Sequence, residues 1–312
     1  MTILLLDPMH DAGPDLLAER GYHAVRGWLG EDYDPEQVTG IVFRISEVNA
    51  ELLDRLPNLE VAAKHGVGVN NVDFAETDRR GIKVTFTPGA ATNAVAEHGV
   101  SMLFAASKRV KAADTAARTG DFDFRNRVSL RELAGRRLGL VGAGRIGSRL
   151  AEICRDGLGM TLGVYDPYAP DTTLSTLGAQ RFDTVLELFT WADAGAITAP
   201  RTPETEGMVG RAEISALGPD GVLSVVSRGG VVDEAALYEA LVNEEIWGAG
   251  VDVFDVEPPS PDNPLFTLDN AVFSPHAAGI TDRGVERMSS EACTNVVALL
   301  EGGEAPLARE PA

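Results

Sequence analysis

The stretch that most constrains the fold of this sequence is RLGLVGAGRIG, residues 137–147. A short apolar run leads into Gly142, Gly144 and Gly147, and an amphipathic segment with apolar residues at helical spacing follows. This order predicts a strand, a tight turn and a helix. The glycines permit the turn, the close approach of the backbone to a pyrophosphate, and close packing of the helix on its strand. The pattern therefore predicts a dinucleotide-binding site where the helix begins.

A second apolar run, residues 160–165, ends at Asp166. This acid follows the last glycine by about 20 residues, where a carboxylate accepts hydrogen bonds from an adenosine ribose. A carboxylate in that position also repels a 2′-phosphate. We therefore expect NAD, and not NADP, as the cofactor.

Length and charge narrow the function further. The 312 residues are enough for two domains with separate cores. A net charge of −20 argues against binding to nucleic acid or to an anionic membrane. Cys154 and Cys293 lie far apart, with no cysteine–histidine cluster, so we expect neither a disulfide nor a metal site. No signal peptide or membrane span is apparent, which predicts a cytoplasmic protein.

The first 95 residues are predicted to form a small α/β unit. Strands alternate with helices there, which favours a parallel sheet. The predicted strands are 3–6, 41–44 and 61–64, and the predicted helices are 14–20, 50–56 and 72–80.

The turn after the third of these strands has the sequence HGVGVNNVD, residues 65–73. Its glycines leave backbone N–H groups free at the carboxyl end of a strand, which would suit a carboxylate ligand. A tight turn before the next helix explains the same glycines equally well. Further on, the alanine-rich segment 94–118 predicts one long helix.

From Leu138 onward, predicted strands recur at regular intervals and distinctive polar residues follow their carboxyl ends. In an open parallel α/β sheet, ligands bind at that edge, so one shared crevice is expected. The residues placed there are Asp166, Thr198, Pro200, Arg228, Asp252 and His276.

Arg228, Glu257 and His276 form the strongest set of candidates for catalysis. A histidine paired with a carboxylate moves protons at neutral pH, and an arginine binds a substrate carboxylate in a forked pair. With a nicotinamide cofactor, this set suits oxidation of an alcohol beside a carboxylate. Taken singly, each has another explanation: His276 as a structural histidine, Arg228 as a loop partner of Glu257, and Glu257 as a turn residue before Pro258.

Eight ordered segments make the chain resemble the D-isomer-specific 2-hydroxyacid dehydrogenases, and within that family the phosphoglycerate dehydrogenase-like branch. The segments are KHGVGVNNVD from Lys64, AVAEH from Ala94, LGLVGAGRIG from Leu138, VYDPY from Val164, APRTPETEGMV from Ala199, SRGGVVDEAAL from Ser227, GVDVFDVEPP from Gly250 and NPLFTLDNAVFSPHAAG from Asn263.

The resemblance implies an α/β fold of two Rossmann-like or flavodoxin-like parallel-sheet domains. The NAD-binding domain, residues 97–283, would be inserted into a substrate domain made of residues 1–96 and 284–312. The last helix, 286–300, would return to the first domain, and the chain would form a homodimer.

The resemblance also implies the roles of individual residues. Arg228, Glu257 and His276 would be catalytic, and Arg44, Val67, Gly68 and Arg228 would bind a small 2-hydroxy or 2-oxo acid. The cofactor would contact Gly142, Gly144, Arg145, Ile146, Gly147, Asp166, Thr198, Pro200, Val226, Ser227, Arg228, Asp252, His276 and Gly279.

The implied function is NAD-dependent interconversion of a D-2-hydroxy acid and its 2-oxo acid, of the phosphoglycerate dehydrogenase or the hydroxypyruvate/glyoxylate reductase kind. The alternative is a non-catalytic NAD(H)-sensing protein of the corepressor type. Ser46, Asn70, Ala91 and Val225 depart from the residues common in phosphoglycerate dehydrogenases. They weaken the case for 3-phosphoglycerate, because a doubly charged phosphate needs several cationic or amide partners.

Overall fold

A computed structural model describes residues 1–308. The chain divides into two compact units, one made of Met1–Thr92 and the segment that begins at Gly279, and one made of Asn93–Ala278. The predicted boundaries, 96/97 and 283/284, fall a few residues after these. The last four residues of the predicted substrate domain lie outside the described part of the chain.

The first unit contains a five-stranded parallel sheet in the order β2-β1-β3-β4-β5. Its strands are β1 (Thr2–Leu5), β2 (His23–Arg26), β3 (Val38–Phe43), β4 (Val61–Lys64) and β5 (Lys83–Thr85). Its helices are α1 (Ala12–Glu19), α2 (Ala50–Asp54), α3 (Phe74–Arg80) and, after the second unit in the sequence, α12 (Asp282–Leu300).

Alternate residues of β1 point to opposite faces of this sheet, as the period of a strand requires. Ile3 and Leu5 pack in one cluster with Cys293 and Val296 of α12. Leu4 packs in a second cluster with Leu52 and Leu53 of α2 and its neighbours. The prediction that the last helix returns to the first domain is thus confirmed.

The second unit contains a seven-stranded parallel sheet in the order β12-β11-β10-β9-β6-β7-β8. Its strands are β6 (Arg137–Val141), β7 (Thr161–Tyr165), β8 (Gln180–Arg181), β9 (Ala194–Ile197), β10 (Val222–Val225), β11 (Gly248–Val251) and β12 (Ala271–Phe273). Its helices are α4 (Thr92–Ser107), which begins at the last residue of the first unit, α5 (Val110–Thr119), α6 (Phe124–Arg127), α7 (Arg145–Leu158), α8 (Asp171–Leu177), α9 (Val185–Trp191), α10 (Arg211–Ala216) and α11 (Glu234–Val242).

This strand order reverses direction between β6 and β9, the point at which doubly wound sheets bind dinucleotides. Both sheets are parallel and lie in α/β units, so the predicted fold class is confirmed. The residues that follow β6 and β9 at the carboxyl edge of the sheet therefore lie where such a sheet binds a dinucleotide.

The single long helix predicted over 94–118 is wrong. Two helices, α4 and α5, meet at Arg109, whose backbone is left-handed with φ 45°. The Arg109 guanidinium lies 3.9 Å from the ring centroid of Trp247 and donates to the Trp247 carbonyl oxygen. A tertiary contact therefore overrides the local helix preference of an alanine-rich segment.

Residues 1–308 contain neither a candidate membrane-spanning helix nor a candidate metal-binding cluster. No helix in that range is both long enough and apolar enough to span a membrane. Across the same range, no group of three or more histidine, cysteine or acidic side chains is arranged to hold a metal ion.

Candidate active site

The glycine turn after β6 is built by close contacts that exclude side chains. At Gly142 the backbone has φ 92°, and a Cβ there would lie 2.7 Å from the Ala199 backbone nitrogen. At Gly147 a Cβ would lie 2.1 Å from the Gly142 carbonyl oxygen. Thr198, after β9, donates its hydroxyl to that same oxygen at 2.7 Å. The turn is thereby fixed across the reversal point of the sheet.

The start of α7 offers uncapped backbone donors. Gly144 is its N-cap and supplies no side-chain hydrogen bond, and no acidic residue lies in the first turn. The space where a Cβ of Gly144 would lie is open to 4 Å. The N–H groups of Arg145, Ile146 and Gly147, at the positive end of the helix dipole, therefore suit an anionic group.

Asp166, immediately after β7, is held beside this turn. Its Oδ2 accepts the Ala143 N–H at 2.8 Å, and its Oδ1 accepts the Tyr168 and Ala169 N–H groups at 2.9 and 3.0 Å. A carboxylate has room for about four hydrogen bonds, so acceptor capacity remains for a ribose hydroxyl. A fixed carboxylate next to an uncapped helix start fits the adenosine and pyrophosphate parts of NAD.

Glu257 and His276 form a hydrogen-bonded pair at the same edge of the sheet. The Nδ1 atom of His276 lies 2.7 Å from Glu257 Oε2, and Glu257 Oε1 accepts the Phe254 N–H at 3.0 Å. The His276 side chain is 47% exposed. Within the described chain no residue is hydrogen-bonded to its Nε2, which leaves that atom available for a reacting group.

Arg228 lies in the loop after β10, next to the loop that carries Glu257. The two loops touch where Gly229 meets Phe254: a Cβ on Gly229 would lie 1.8 Å from the Phe254 carbonyl oxygen. Arg228 donates to the Ser227 carbonyl oxygen at 2.7 Å. Burial lowers the pKa of Arg228, and the negative charge of Glu257 acts in the opposite direction. The structure thus brings Arg228, Glu257 and His276 together from three loops of one sheet edge.

The remaining predicted cofactor residues differ in how accessible they are. Val226 is buried, and the buried hydroxyl of Ser227 has no hydrogen-bond partner among the described residues. Pro200 is exposed. Asp252, predicted to contact the cofactor, is only 1% exposed, and its carboxylate accepts hydrogen bonds from neighbouring loop residues. Gly279 is the first residue of the returning segment of the first unit.

Three of the predicted substrate residues, Arg44, Val67 and Gly68, lie in the first unit, after the carboxyl ends of β3 and β4. The N–H groups of Arg44, Ile45 and Ser46 all donate to Asp7 Oδ2, at 2.6, 3.0 and 3.1 Å. After β4, the N–H groups of Val67 and Gly68 find no acceptor within residues 1–308. This turn therefore has the free donors that a carboxylate needs.

Sequence analysis does not single out His98, the last residue of the AVAEH segment, as a candidate site residue. Its Nε2 lies 2.8 Å from the Ser274 hydroxyl and 3.4 Å from Asp252 Oδ1. No local signal could have revealed this contact, since Ser274 follows His98 by 176 residues.

Comparison with known proteins agrees with this arrangement. Residues 100–278 match the model of the D-isomer specific 2-hydroxyacid dehydrogenase NAD binding domain. The chain is 36% identical to a glyoxylate reductase of Korarchaeum cryptofilum, over 82% of this chain and 77% of that protein. It superposes with a TM-score of 0.85 on an NADPH-dependent glyoxylate/hydroxypyruvate reductase of Sinorhizobium meliloti at 31% identity, covering 99% and 97% of the two chains.

A D-3-phosphoglycerate dehydrogenase of Archaeoglobus fulgidus is 35% identical over 90% of this chain. The chain spans only 54% of that relative, about half its length. The match to the NAD-binding domain and the identity shared with a reductase over most of both chains nevertheless establish the relationship. This chain belongs to the D-isomer-specific 2-hydroxyacid dehydrogenase family.

Proposed function

We propose that this protein is an NAD-dependent dehydrogenase that interconverts a D-2-hydroxy acid and its 2-oxo acid. The observation that carries the proposal is the 2.7 Å contact between His276 Nδ1 and Glu257 Oε2, at the same sheet edge as the glycine turn. An imidazole paired in this way presents its other nitrogen for proton transfer.

In the reducing direction, Arg228 pairs with the carboxylate of the 2-oxo acid and orients its carbonyl group. His276 donates a proton from Nε2 to the carbonyl oxygen as negative charge develops there. Glu257 stabilises the imidazolium and fixes the ring. NADH, when bound, supplies the hydride. The guanidinium of Arg228 also stabilises the developing charge, and loss of such a preorganised donor costs about 3 kcal/mol.

Different residues would hold different parts of the bound cofactor. The start of α7, from Gly144 to Gly147, would hold the pyrophosphate, and Asp166 the adenosine ribose. Arg44 and the free N–H groups of Val67 and Gly68 are suited to a carboxylate, so we propose that they bind the acid substrate. Preference for NAD over NADP stays a prediction, since the Sinorhizobium meliloti relative is NADPH-dependent.

The substrate is proposed to be glyoxylate, hydroxypyruvate or a phosphorylated 2-oxo acid. Relatives named for all three kinds of activity resemble this chain. The corepressor-type alternative gains no support, because the relatives described above are named as dehydrogenases or reductases. The homodimer and the cytoplasmic location stay predictions.

A panel of 2-oxo acids assayed with NADH at 340 nm tests this proposal. We expect turnover with at least one acid, and His276→Ala should abolish most of it while binding NADH as before. Binding of NADH with no oxidation by any acid would refute the enzyme and favour a sensor.

A further inference from the structure

The backbone that carries His276 is strained. His276 has φ 49°, in the left-handed region that side chains with a Cβ rarely occupy. This conformation is unfavourable for a residue other than glycine, because it brings the Cβ too close to the following carbonyl oxygen. Surrounding groups must therefore hold the turn in place.

Asp252, at the carboxyl end of β11, accepts most of the hydrogen bonds that hold this turn in place. Its carbonyl oxygen accepts the His276 N–H at 2.8 Å. Its carboxylate accepts the Ala277 N–H at 2.9 Å and the Ala278 N–H at 3.2 Å. Three successive amides of the strained turn thus donate to one buried residue.

Two side chains complete the surroundings of this carboxylate. The Ser274 hydroxyl donates to Asp252 Oδ1, and its oxygen lies 2.8 Å from His98 Nε2. A hydroxyl has one proton, which Ser274 gives to Asp252, so His98 Nε2 is the donor in its own contact with Ser274. The His98 side chain is 23% exposed and reaches this network from α4.

We propose that His98 is a positioning residue that acts through Ser274 and Asp252 to hold the left-handed turn on which His276 is presented to Glu257. The inference rests on the proposed function, because it concerns the orientation of the proposed proton donor. His98 itself touches neither Glu257 nor His276 through any hydrogen bond in the described chain.

The consequence of losing His98 follows from burial. Without its N–H, the Ser274 oxygen lacks a donor and the buried carboxylate loses a nearby positive dipole. The turn can then relax towards an ordinary right-handed backbone. His276 would leave the geometry in which Nδ1 faces Glu257, and small displacements of a catalytic group cost rate.

The test compares His98→Leu with His98→Gln in the full-length protein. Glutamine places an amide nitrogen near the position of Nε2, whereas leucine has no donor. We expect His98→Leu to lower kcat about tenfold and His98→Gln to restore most of it, at similar melting temperatures. Glu97→Gln, on the exposed side of the same helix, is the matched control.

A second measurement separates this inference from the proposed function. The chain has five histidines, so the ring ¹⁵N shifts of His276 can be assigned with single variants. These shifts report which nitrogen carries the proton and should change in His98→Leu but not in His98→Gln, even if no acid is turned over. Unchanged kcat, or lower kcat with unchanged shifts, would overturn the role. If His98→Leu does not fold, His98→Asn, too short to reach Ser274, replaces it.

Discussion

Glu257 and Phe254 are joined by a hydrogen bond that orients the carboxylate towards His276. The Phe254 N–H donates to Glu257 Oε1 at 3.0 Å, which leaves Oε2 facing His276 Nδ1 at 2.7 Å. One carboxylate therefore has its two oxygens committed to different tasks. The first fixes the loop and the second fixes the imidazole.

Glu257→Gln should keep the shape of this loop and remove the charge that stabilises the imidazolium. We expect kcat to fall about a hundredfold, with the NADH dissociation constant within about twofold of wild type, because binding of the cofactor does not depend on this charge. Stopped-flow oxidation of NADH and NADH fluorescence titration measure the two quantities. Glu187→Gln, an exposed acid of α9, is the control. A wild-type kcat in Glu257→Gln would remove Glu257 from the mechanism.

Gly229→Ala should separate the loops of Arg228 and Glu257. The new Cβ would lie 1.8 Å from the Phe254 carbonyl oxygen, so the backbone must move, at a cost of about 1–3 kcal/mol. We expect a higher KM for the acid and a lower kcat together, measured by steady-state kinetics, and a lower melting temperature.

Gly157→Ala provides the matched control for that substitution. Gly157 lies in α7 with no atom within 4 Å of its added Cβ. Alanine there should raise stability by up to about 1 kcal/mol and leave kinetics unchanged. If Gly229→Ala behaves like Gly157→Ala, contact between the two loops does not position Arg228.

The parts of the fold that the sequence predicts best are those with strong local patterns. The strand, glycine turn and helix at residues 137–158 are of this kind, and so are the polar residues that follow β7, β9, β10, β11 and β12. Parallel strands bring such residues to one edge of the sheet. The sequence alone therefore predicts that Arg228, Glu257 and His276 lie close together. Short, partly exposed strands such as β2 and β5 were missed because they carry little periodicity.

Other features depend on contacts that no local pattern contains. The break between α4 and α5 at Arg109 reflects its contact with Trp247, far along the chain. Asp252 is buried and linked to His98 because α4 packs on β10 and β11. In this packing Met102 of α4 lies against Gly250 of β11, and the Gly99 carbonyl oxygen of α4 accepts the Ser224 hydroxyl of β10. The spacing of residues in the sequence therefore indicates which side chains lie at the same edge of the sheet. It does not indicate which of them, like Asp252, already form hydrogen bonds within the protein.

Asp166→Asn should weaken the preference for NAD over NADP. The amide removes the charge that repels a 2′-phosphate, and only one of its two terminal atoms can accept the three backbone N–H groups that Asp166 now binds. We expect the KM for NADH to rise about tenfold while that for NADPH changes less. Asp171→Asn, an exposed acid of the next helix, controls for charge. A wild type that already prefers NADPH would contradict the ribose assignment.

His65 should make the protein less stable in mild acid. Burial lowers the pKa of His65 to about 4, and the positive charges of Arg44 and Lys64 act in the same direction. Both ring nitrogens are buried. In the unfolded chain the imidazole titrates near its usual value of about 6.5. As the pH falls from there towards 4, the unfolded state therefore takes up a proton that the folded state does not.

The free energy of unfolding should thus decrease over that interval by up to about 3 kcal/mol on account of this residue, and level off below pH 4 as the folded state is protonated too. Urea unfolding of wild type and His65→Leu at several pH values between 7 and 4 measures the difference, in which the carboxylates common to both proteins cancel. His23→Leu, at an exposed position on β2, should run parallel to wild type. Parallel curves for wild type and His65→Leu would mean that the folded protein binds this proton as readily as the unfolded chain does.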